Sequence, residues 1–341
     1  MSSLWRAGWV GQGSLVLRSG AVGHRAAGAA RPHSDGMTLT FAPTLTATNP
    51  ICVRGLTKRY GKTLAASDVD LDVAPGEVVG FLGPNGAGKT TVLRVLTGAL
   101  RASAGDVSVL GLDPFREAAA VHQHLGYLPG DLRLPGHLTG HQLLDLCAAL
   151  RDDAGEDRDA LVAALDVPLH APVEALSKGN RQKLAIVQAL MSRPRVLLLD
   201  EPTSGLDPLA QEVFEGLVRQ AAERGTAILL SSHVLREVEQ VADRVIMLRA
   251  GRVVASSRLD ALRAAAPHDV HAVLGTADAA RRLSRTAGAR DVQVSGASVS
   301  LSVPSEQLPS LLRQLASEDV RDVSIAPADL ETLFRHFYEG T

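Results

Sequence analysis

Between Glu77 and Thr91 the chain reads EVVGFLGPNGAGKTT, a spacing of glycines, lysine and threonines that suits phosphate chemistry. The apolar run before the glycines and the helical pattern after them predict a strand, a loop and a helix. The glycines let backbone N–H groups turn inward, and the start of the helix adds positive charge, so phosphate oxygens find donors in place. We expect Lys89 to reach the β- and γ-phosphates of a nucleotide and the Thr90 hydroxyl to hold Mg²⁺. The residues predicted to bind the nucleotide here are Gly83, Pro84, Asn85, Gly86, Ala87, Gly88, Lys89, Thr90 and Thr91.

Two adjacent carboxylates, Asp200 and Glu201, follow four apolar residues that show no alternation. Such a run predicts a strand buried on both faces, and α/β sheets bind their ligands at the carboxyl ends of such strands. Beside a phosphate loop, we expect Asp200 to bind Mg²⁺ and Glu201 to orient and deprotonate the attacking water. Another apolar strand leads to His233, which can reach a γ-phosphate from that position. The alternative is a buried strand that ends in solvated acids.

Two further places offer contacts to a nucleotide. Ser177 and Gly179 lie at the predicted start of an amphipathic helix that stops before Pro194. A helix N-terminus attracts anions, so this is a second candidate phosphate site. Tyr60 lies in a turn between two predicted strands, where its ring either stacks on a nucleotide base or covers an edge of the core. The spacing alone leaves both possibilities open for Tyr60.

The pattern along the chain predicts three parts. Residues 1–36 are rich in arginine and lack a sustained period, and the stretch from Met37 is rich in threonine, alanine and proline. We therefore expect residues 1–48 to be a disordered leader and linker, with Met37 as the working start of the protein. Residues 49–262 alternate apolar strands with helices, which predicts an α/β domain whose helical subdomain covers about 125–190. Residues 268–341 follow the order β-α-β-β-α-β of a small α+β ferredoxin-like domain, and a helix is predicted over 329–338.

The composition excludes several classes of protein. The 35 basic and 37 acidic residues leave a net charge of -2, so no overall field recruits nucleic acid. No apolar run approaches the roughly 18 residues that a membrane-spanning helix needs. Cys52 and Cys147 are far apart and stand alone, which argues against a disulfide framework or a zinc site and fits a reducing cytoplasm.

Five motifs in order resemble those of the ATP-binding subunits of ABC transporters, over roughly residues 51–262. GPNGAGKT is similar to Walker A, LSKGN to the signature, VLLLDE to Walker B, SGLD to the D-loop and Ser232-His233 to the H-loop. The resemblance implies a P-loop NTPase fold of ABC type, with a mostly parallel core sheet, an antiparallel β subdomain and a helical subdomain. It also implies ATP and Mg²⁺ as cofactors. The KGN form of the signature and the closing PADLETLFRHFYEG resemble drug and antibiotic exporter ATPases.

The resemblance assigns two further residues to the nucleotide site, and the sequence departs from the family's motifs at two positions. It implies that Tyr60 stacks on adenine and that Asp207, in the D-loop, belongs to the nucleotide site. Asn180 replaces the glutamine of the signature and keeps the same hydrogen-bonding groups. The family's Q-loop glutamine, which contacts Mg²⁺ and the membrane subunit, is Gly130 here. The next residue, Asp131, either supplies an oxygen ligand to Mg²⁺ or is a solvated loop acid.

The family likeness implies an ATPase that energises export from the cytoplasmic face of the cell membrane, bound peripherally to a separate ABC membrane permease subunit. One phosphate loop and one signature helix per chain imply a homodimer with two composite sites. An importer ATPase is the nearer alternative. A ribosome-associated ABC protein would normally carry two ATPase modules, whereas this sequence shows one Walker A motif. A DNA-maintenance ABC protein would need a long coiled coil between Walker A and the signature, and no sustained heptads occur there.

Overall fold

The computed structural model describes residues 5–9, 15–19, 49–151, 155 and 157–327. The chain divides into two compact units, Met1–Ala47 and Thr48–Thr341. In the first unit, β1 (Trp5–Trp9) pairs antiparallel with β2 (Leu15–Ser19). These strands depart from the prediction that the leader has no regular structure, and their tryptophan and valine residues favour strands. The rest of the leader lies outside the described residues, so its disorder stays a prediction.

The second unit contains the remaining elements. Its strands, β3 to β15 in chain order, are Ile51–Tyr60, Thr63–Val73, Val78–Leu82, Ala104–Val109, Leu125–Leu128, Val196–Asp200, Ala227–Ser232, Arg244–Arg249, Arg252–Arg258, His268–Leu274, Arg290–Ser295, Ser298–Val303 and Val320–Pro327. Its α-helices, α1 to α10, are Lys89–Leu96, Ala118–His122, Gly140–Leu150, Arg158–Leu165, Lys178–Leu190, Pro208–Glu223, Leu235–Glu239, Leu259–Ala265, Ala277–Leu283 and Leu308–Ala316.

A six-stranded sheet forms the centre of this unit, in the order β11-β10-β5-β9-β8-β7. Every neighbouring pair is parallel except β10 and β11, which pair antiparallel. All residues of β5, β8 and β9 are buried, because α1 and an antiparallel sheet cover one face while α5 and α6 cover the other. The continuous apolar runs of these strands follow from this double burial.

The helical part of the chain begins later than expected. The sequence assigned about 125–190 to a helical subdomain, but Leu125–Leu128 is strand β7, which pairs with β8 at the edge of the core sheet. Helices α3, α4 and α5 follow and pack into the apolar core on the face of the sheet that α5 and α6 cover. On α3, Leu143 and Leu144 are buried in this core, whereas Leu150 near the end of the helix is exposed.

A second, three-stranded antiparallel sheet has the order β4-β3-β6. Its inward residues, among them Val69, Leu71 and Val73, are buried in one core with α1, while the aspartates that alternate with them point away from it. This sheet therefore fixes α1 against the core sheet. The two sheets and the helices together form the α/β P-loop arrangement expected for the ABC type.

The C-terminal part has its own four-stranded antiparallel sheet, in the order β13-β14-β12-β15. Helices α9 and α10 cover one face and share a separate apolar core with it. The chain order is the predicted β-α-β-β-α-β, and the sheet order is that of a ferredoxin-like fold. The helix predicted over 329–338 lies outside the described residues. Among the described residues, no helix combines the length and apolar composition that crossing a bilayer requires.

Candidate functional site

The loop between β5 and α1 is shaped by glycines whose backbone conformation or close contacts disfavour a larger residue. Gly86 and Gly88 have φ values of 82° and 107°, in the region that favours glycine. A Cβ atom at Gly83 would lie 2.3 Å from the carbonyl oxygen of Leu248, and one at Gly88 would lie 2.2 Å from that of Ala65. Helix α1 starts at the next residue with no side-chain cap and no acid in its first turn. Its N-terminal N–H groups and positive dipole end therefore suit an anion.

The Lys89 ammonium is held inside this loop. Nζ donates to the carbonyl oxygen of Gly83 at 2.6 Å and lies 3.5 Å from that of Pro84. It also lies 3.5 Å from Oε1 of Glu201, and the residue is only 6% exposed. A buried cation with one carboxylate partner is well placed to accept a second anion.

The carboxyl end of β8 presents the two predicted acids. Asp200 is 1% exposed and accepts a hydrogen bond from the Ser231 hydroxyl on β9. Glu201 has a left-handed backbone, with φ of 51°, and its N–H donates to the Ser231 carbonyl oxygen at 3.1 Å. Its Oε2 lies 2.7 Å from Nδ1 of His233. Glu201 therefore bridges the Lys89 ammonium and the His233 ring, and its rare backbone conformation is typical of functional positions.

A cavity of about 380 Å³ opens between the loop and the end of β8. It is lined by Pro84, Asn85, Gly86, Ala87, Lys89, Thr90, Gly130, Asp131, Asp200, Glu201, Ser204 and His233. The structure thus brings together all residues that the sequence predicted for catalysis and for the metal. Gly83, Gly88 and Thr91 complete the loop and helix without lining the cavity. Ser204 was not predicted, since an isolated loop serine carries no signal in the sequence.

The other residues predicted to bind the nucleotide do not line this cavity. Ser177 caps α5 by accepting a hydrogen bond from the Asn180 N–H, and Gly179 packs so closely that a Cβ would lie 2.9 Å from the Gly205 carbonyl oxygen. Tyr60 is 44% exposed at the end of β3. Within a single chain, therefore, neither the start of α5 nor the Tyr60 ring lines the cavity beside the phosphate loop.

Asp207 acts as a helix cap in the structure. Its Oδ1 accepts a hydrogen bond from the Ala210 N–H at 2.9 Å, at the start of α6. That hydrogen bond is the main reason why the pKa of Asp207 lies below its usual value. Its predicted place in the nucleotide site stays a prediction.

The loop after β7 lies against Asp200. A Cβ at Gly130 would be 3.2 Å from Asp200 Oδ2, so a larger residue there would need only a small shift of the carboxylate or the loop. Asp131 is 64% exposed, and its carboxylate accepts from the Arg133 guanidinium at 3.0 Å. Tyr127 lies on β7, just before this loop. Its burial is the main reason why its pKa lies above the usual value, and the negative charge of Asp200 raises the pKa further.

Comparisons with known proteins agree with this geometry. The family model described as ABC transporter matches residues 66–204. The ABC transporter ATP-binding protein YdbJ of Bacillus subtilis (strain 168), itself uncharacterized, is 33% identical over 279 residues, covering 81% of this chain and 90% of the relative. The daunorubicin resistance ATP-binding protein DrrA3 of Streptomyces coeruleorubidus is 41% identical over 220 residues, covering 63% and 70%.

A solved structure of an ATP-binding subunit of an ABC transporter matches with a TM-score of 0.59 at 30% identity, covering 62% of this chain and 91% of that one. The chain therefore belongs to the ABC transporter family, among its ATP-binding proteins, and it is an ATPase. The resemblance predicted from the five motifs is confirmed.

Proposed function

We propose that the chain hydrolyses Mg²⁺-bound ATP in the cavity beside the phosphate loop, with Glu201 as general base, and that hydrolysis drives export through a separate ABC membrane permease. The observation that carries this proposal is the position of the Glu201 carboxylate. It lies in the cavity wall between the Lys89 ammonium at 3.5 Å and the His233 ring at 2.7 Å. A base, a phosphate-binding cation and a second polar group thus face the same space.

Each of the three side chains has a distinct part in the reaction. The Lys89 ammonium binds the outer phosphates and screens the charge that develops on them. When it turns toward a phosphate, Glu201 is freed to orient a water molecule and take its proton. His233 holds the Glu201 carboxylate in place and, from the end of β9, can donate to the γ-phosphate.

The residues at the end of β8 suit Mg²⁺. Asp200 is almost fully buried, and among the described residues no ion pair neutralises its charge. A buried carboxylate without a cation is costly, so the position favours a bound metal ion. Mg²⁺ is usually held by one or two carboxylates together with substrate phosphates, and Asp200 with the Thr90 hydroxyl fits that pattern. The ion supplies charge neutralisation of the phosphates when it is bound.

Asp131 is part of the same proposal, as an added oxygen ligand in place of the missing glutamine. It lines the cavity with Thr90 and Asp200. Its present partner, Arg133, is an exposed guanidinium, and exposed ion pairs contribute about 0–1 kcal/mol. A divalent cation next to the buried Asp200 is therefore expected to attract the Asp131 carboxylate away from Arg133.

We expect Asp131→Ala to weaken Mn²⁺ binding in the presence of a non-hydrolysable ATP analogue by about threefold to tenfold, because one oxygen ligand is lost. Electron paramagnetic resonance of the free Mn²⁺ measures this directly. The matched control is Arg133→Ala, which removes the ion pair but keeps the carboxylate and should bind Mn²⁺ at least as well as the parent. Equal affinities in all three proteins would show that Asp131 is only a solvated acid.

The start of α5 supports a homodimer. Ser177, Gly179 and Asn180 lie outside the cavity of their own chain, although a helix N-terminus of this kind suits a γ-phosphate. In the proposed dimer they approach the phosphate loop of the second copy, and two composite sites form. In this proposal Tyr60 stacks on the adenine, and Asp207 lies at the interface near the nucleotide.

Export is favoured over import by the name of one relative. DrrA3 is called a daunorubicin resistance protein, and the present chain shares 41% of its residues over the matched region. The proposal places the ATPase on the cytoplasmic face of the membrane, bound to a permease that binds a drug, an antibiotic or another amphipathic compound. Affinity purification from the natural host should recover a polytopic membrane subunit; recovery of a substrate-binding protein with it would favour the importer alternative.

The C-terminal domain is not needed for the ATP site. Its apolar core is separate, and none of its described residues lines the cavity. A chain that ends at Pro267 keeps Ala266, which packs into the main core, and should bind ATP with an affinity within about twofold of the full chain. Calorimetric titration with ATP checks this. Loss of binding in a truncated chain that melts cooperatively would tie the C-terminal domain to the nucleotide site.

A further inference from the structure

Gln182 is a buried polar residue to which the proposed reaction gives no part. It lies on α5, is 6% exposed, and its Nε2 donates to the carbonyl oxygen of Pro202 at 2.7 Å. Pro202 is itself buried and directly follows Glu201. A buried carbonyl that loses its donor carries an unfavourable desolvation cost, so this bond holds the chain at Pro202 firmly.

Together with two backbone hydrogen bonds, this bond holds the chain on both sides of Glu201. On the N-terminal side, the Glu201 N–H donates to the Ser231 carbonyl oxygen. On the C-terminal side, Ser204 N–H donates to the Glu201 carbonyl oxygen at 3.2 Å, and the Gln182 amide holds Pro202. Since Glu201 has a left-handed φ of 51°, which a free chain rarely adopts, contacts on both sides are needed to keep it there.

A second contact joins the same helix to the same loop. The Lys178 ammonium donates to the Ser204 hydroxyl at 3.2 Å. Gly179 lies against Gly205 so closely that no Cβ fits between them without a shift. Three points of α5 therefore touch the loop that carries Glu201, and Gln182 is the buried one among them.

We propose that Gln182 is a positioning residue for the general base: through the Pro202 carbonyl it sets where the Glu201 carboxylate stands relative to the attacking water. This rests on the proposed role of Glu201. Ser177 caps the helix that carries Gln182, so a phosphate bound at the start of α5 would be linked to the loop of the base through the buried Gln182–Pro202 hydrogen bond and the exposed Lys178–Ser204 hydrogen bond. Small displacements of a catalytic group cost large factors in rate.

The test is Gln182→Met, which keeps the length and buried volume of the side chain but removes the donor. We expect kcat for ATP to fall by about 10- to 100-fold while KM stays within about twofold, because the base is misplaced and the phosphate loop is untouched. The matched control is Gln188→Met on the same helix, which should leave both constants unchanged. A kcat within about twofold of the parent, or a loss confined to KM, would overturn the proposal.

A second variant serves if Gln182→Met does not fold. In Gln182→Glu the protonated carboxyl can donate to Pro202, whereas the ionised form cannot and repels the carbonyl oxygen. The ratio of variant to parent kcat should therefore fall as pH rises from about 5 to about 8, since burial raises the pKa of the new carboxyl into this range. A ratio that does not change with pH would mean that the hydrogen bond has no part in catalysis.

Combination with Glu201→Gln separates this proposal from the assignment of the base. If Gln182 acts through Glu201, adding Gln182→Met to Glu201→Gln should reduce kcat by less than about twofold more. Losses that multiply would mean that Gln182 acts elsewhere. If Glu201→Gln alone turns over ATP like the parent, the base assignment fails; if it is inactive while Gln182→Met is normal, only the positioning role fails.

Discussion

Replacing Glu201 with glutamine is expected to lower ATP turnover by about 10² to 10⁴-fold while ATP affinity stays within about twofold of the parent. The amide keeps the shape of the side chain and its reach to His233 and Lys89 but cannot take a proton. The bond from the Glu201 N–H to Ser231 is unaffected, so the left-handed backbone and the cavity wall remain. Only the chemical step is removed.

Steady-state phosphate release and calorimetric titration with ATP together measure these two quantities. The matched control is Glu212→Gln, an exposed glutamate on α6 that does not line the cavity, and it should behave as the parent. A Glu201→Gln protein that hydrolyses ATP within about tenfold of the parent would remove Glu201 as the base.

Replacing Lys89 with methionine is expected to weaken ATP binding by at least about tenfold to 100-fold, the size of a charge-assisted hydrogen bond. The ammonium is buried in the loop at 2.6 Å from the Gly83 carbonyl oxygen, and Lys89 is the one lysine or arginine among the described residues that line the cavity. Methionine fills the same space with an apolar chain. Turnover should fall further still, because the charge that stabilises the reacting phosphate is lost.

Titration with a fluorescent ATP analogue measures the loss, and circular dichroism establishes that the variant is folded. The control is Lys62→Met, which removes an exposed ammonium from the turn after β3 and should leave affinity unchanged. If a folded Lys89→Met protein binds ATP as tightly as the parent, the nucleotide does not occupy this loop.

The strands beside the site were predictable because they are buried on both faces. In β8, Val196 and Leu198 pack toward α1, whereas Leu197 and Leu199 pack toward α5 and α6. Such a strand needs an unbroken apolar run, and that run is visible in the sequence. Strand β7 has a similar setting but only four residues, too short for any period, so it was placed in the helical subdomain instead.

The hydrogen-bond partners of Asp200 and Pro202 were not predictable, because they come from distant parts of the chain. Ser231 reaches Asp200 across two neighbouring strands, and Gln182 reaches Pro202 from a helix. Serine and glutamine are common at many positions, and only the packing of the strands and α5 gives these two their partners. Motif spacing identified the groups to which the proposal assigns the chemistry, whereas the residues that hold them in place depend on the tertiary structure.

The positions of the signature residues also could not be predicted from the sequence pattern alone. Their order and type placed Ser177, Gly179 and Asn180 with the nucleotide, yet in one chain they lie outside the cavity. The sequence pattern does not determine how far in space the start of a helix lies from a loop elsewhere in the chain. A second copy of the chain is the partner that would bring the two together.

The mass of Glu201→Gln protein after incubation with Mg²⁺ and ATP tests the composite ATP site most directly. With binding intact and hydrolysis blocked, light scattering should give twice the 35.8 kDa of the chain, and the bound nucleotide should be unhydrolysed ATP in one copy per chain. The same protein with ADP should give the mass of a single chain. A Glu201→Gln protein that binds ATP yet stays at 35.8 kDa, or that is recovered with ADP, would contradict a dimer whose two sites are closed by ATP and opened by the Glu201 base.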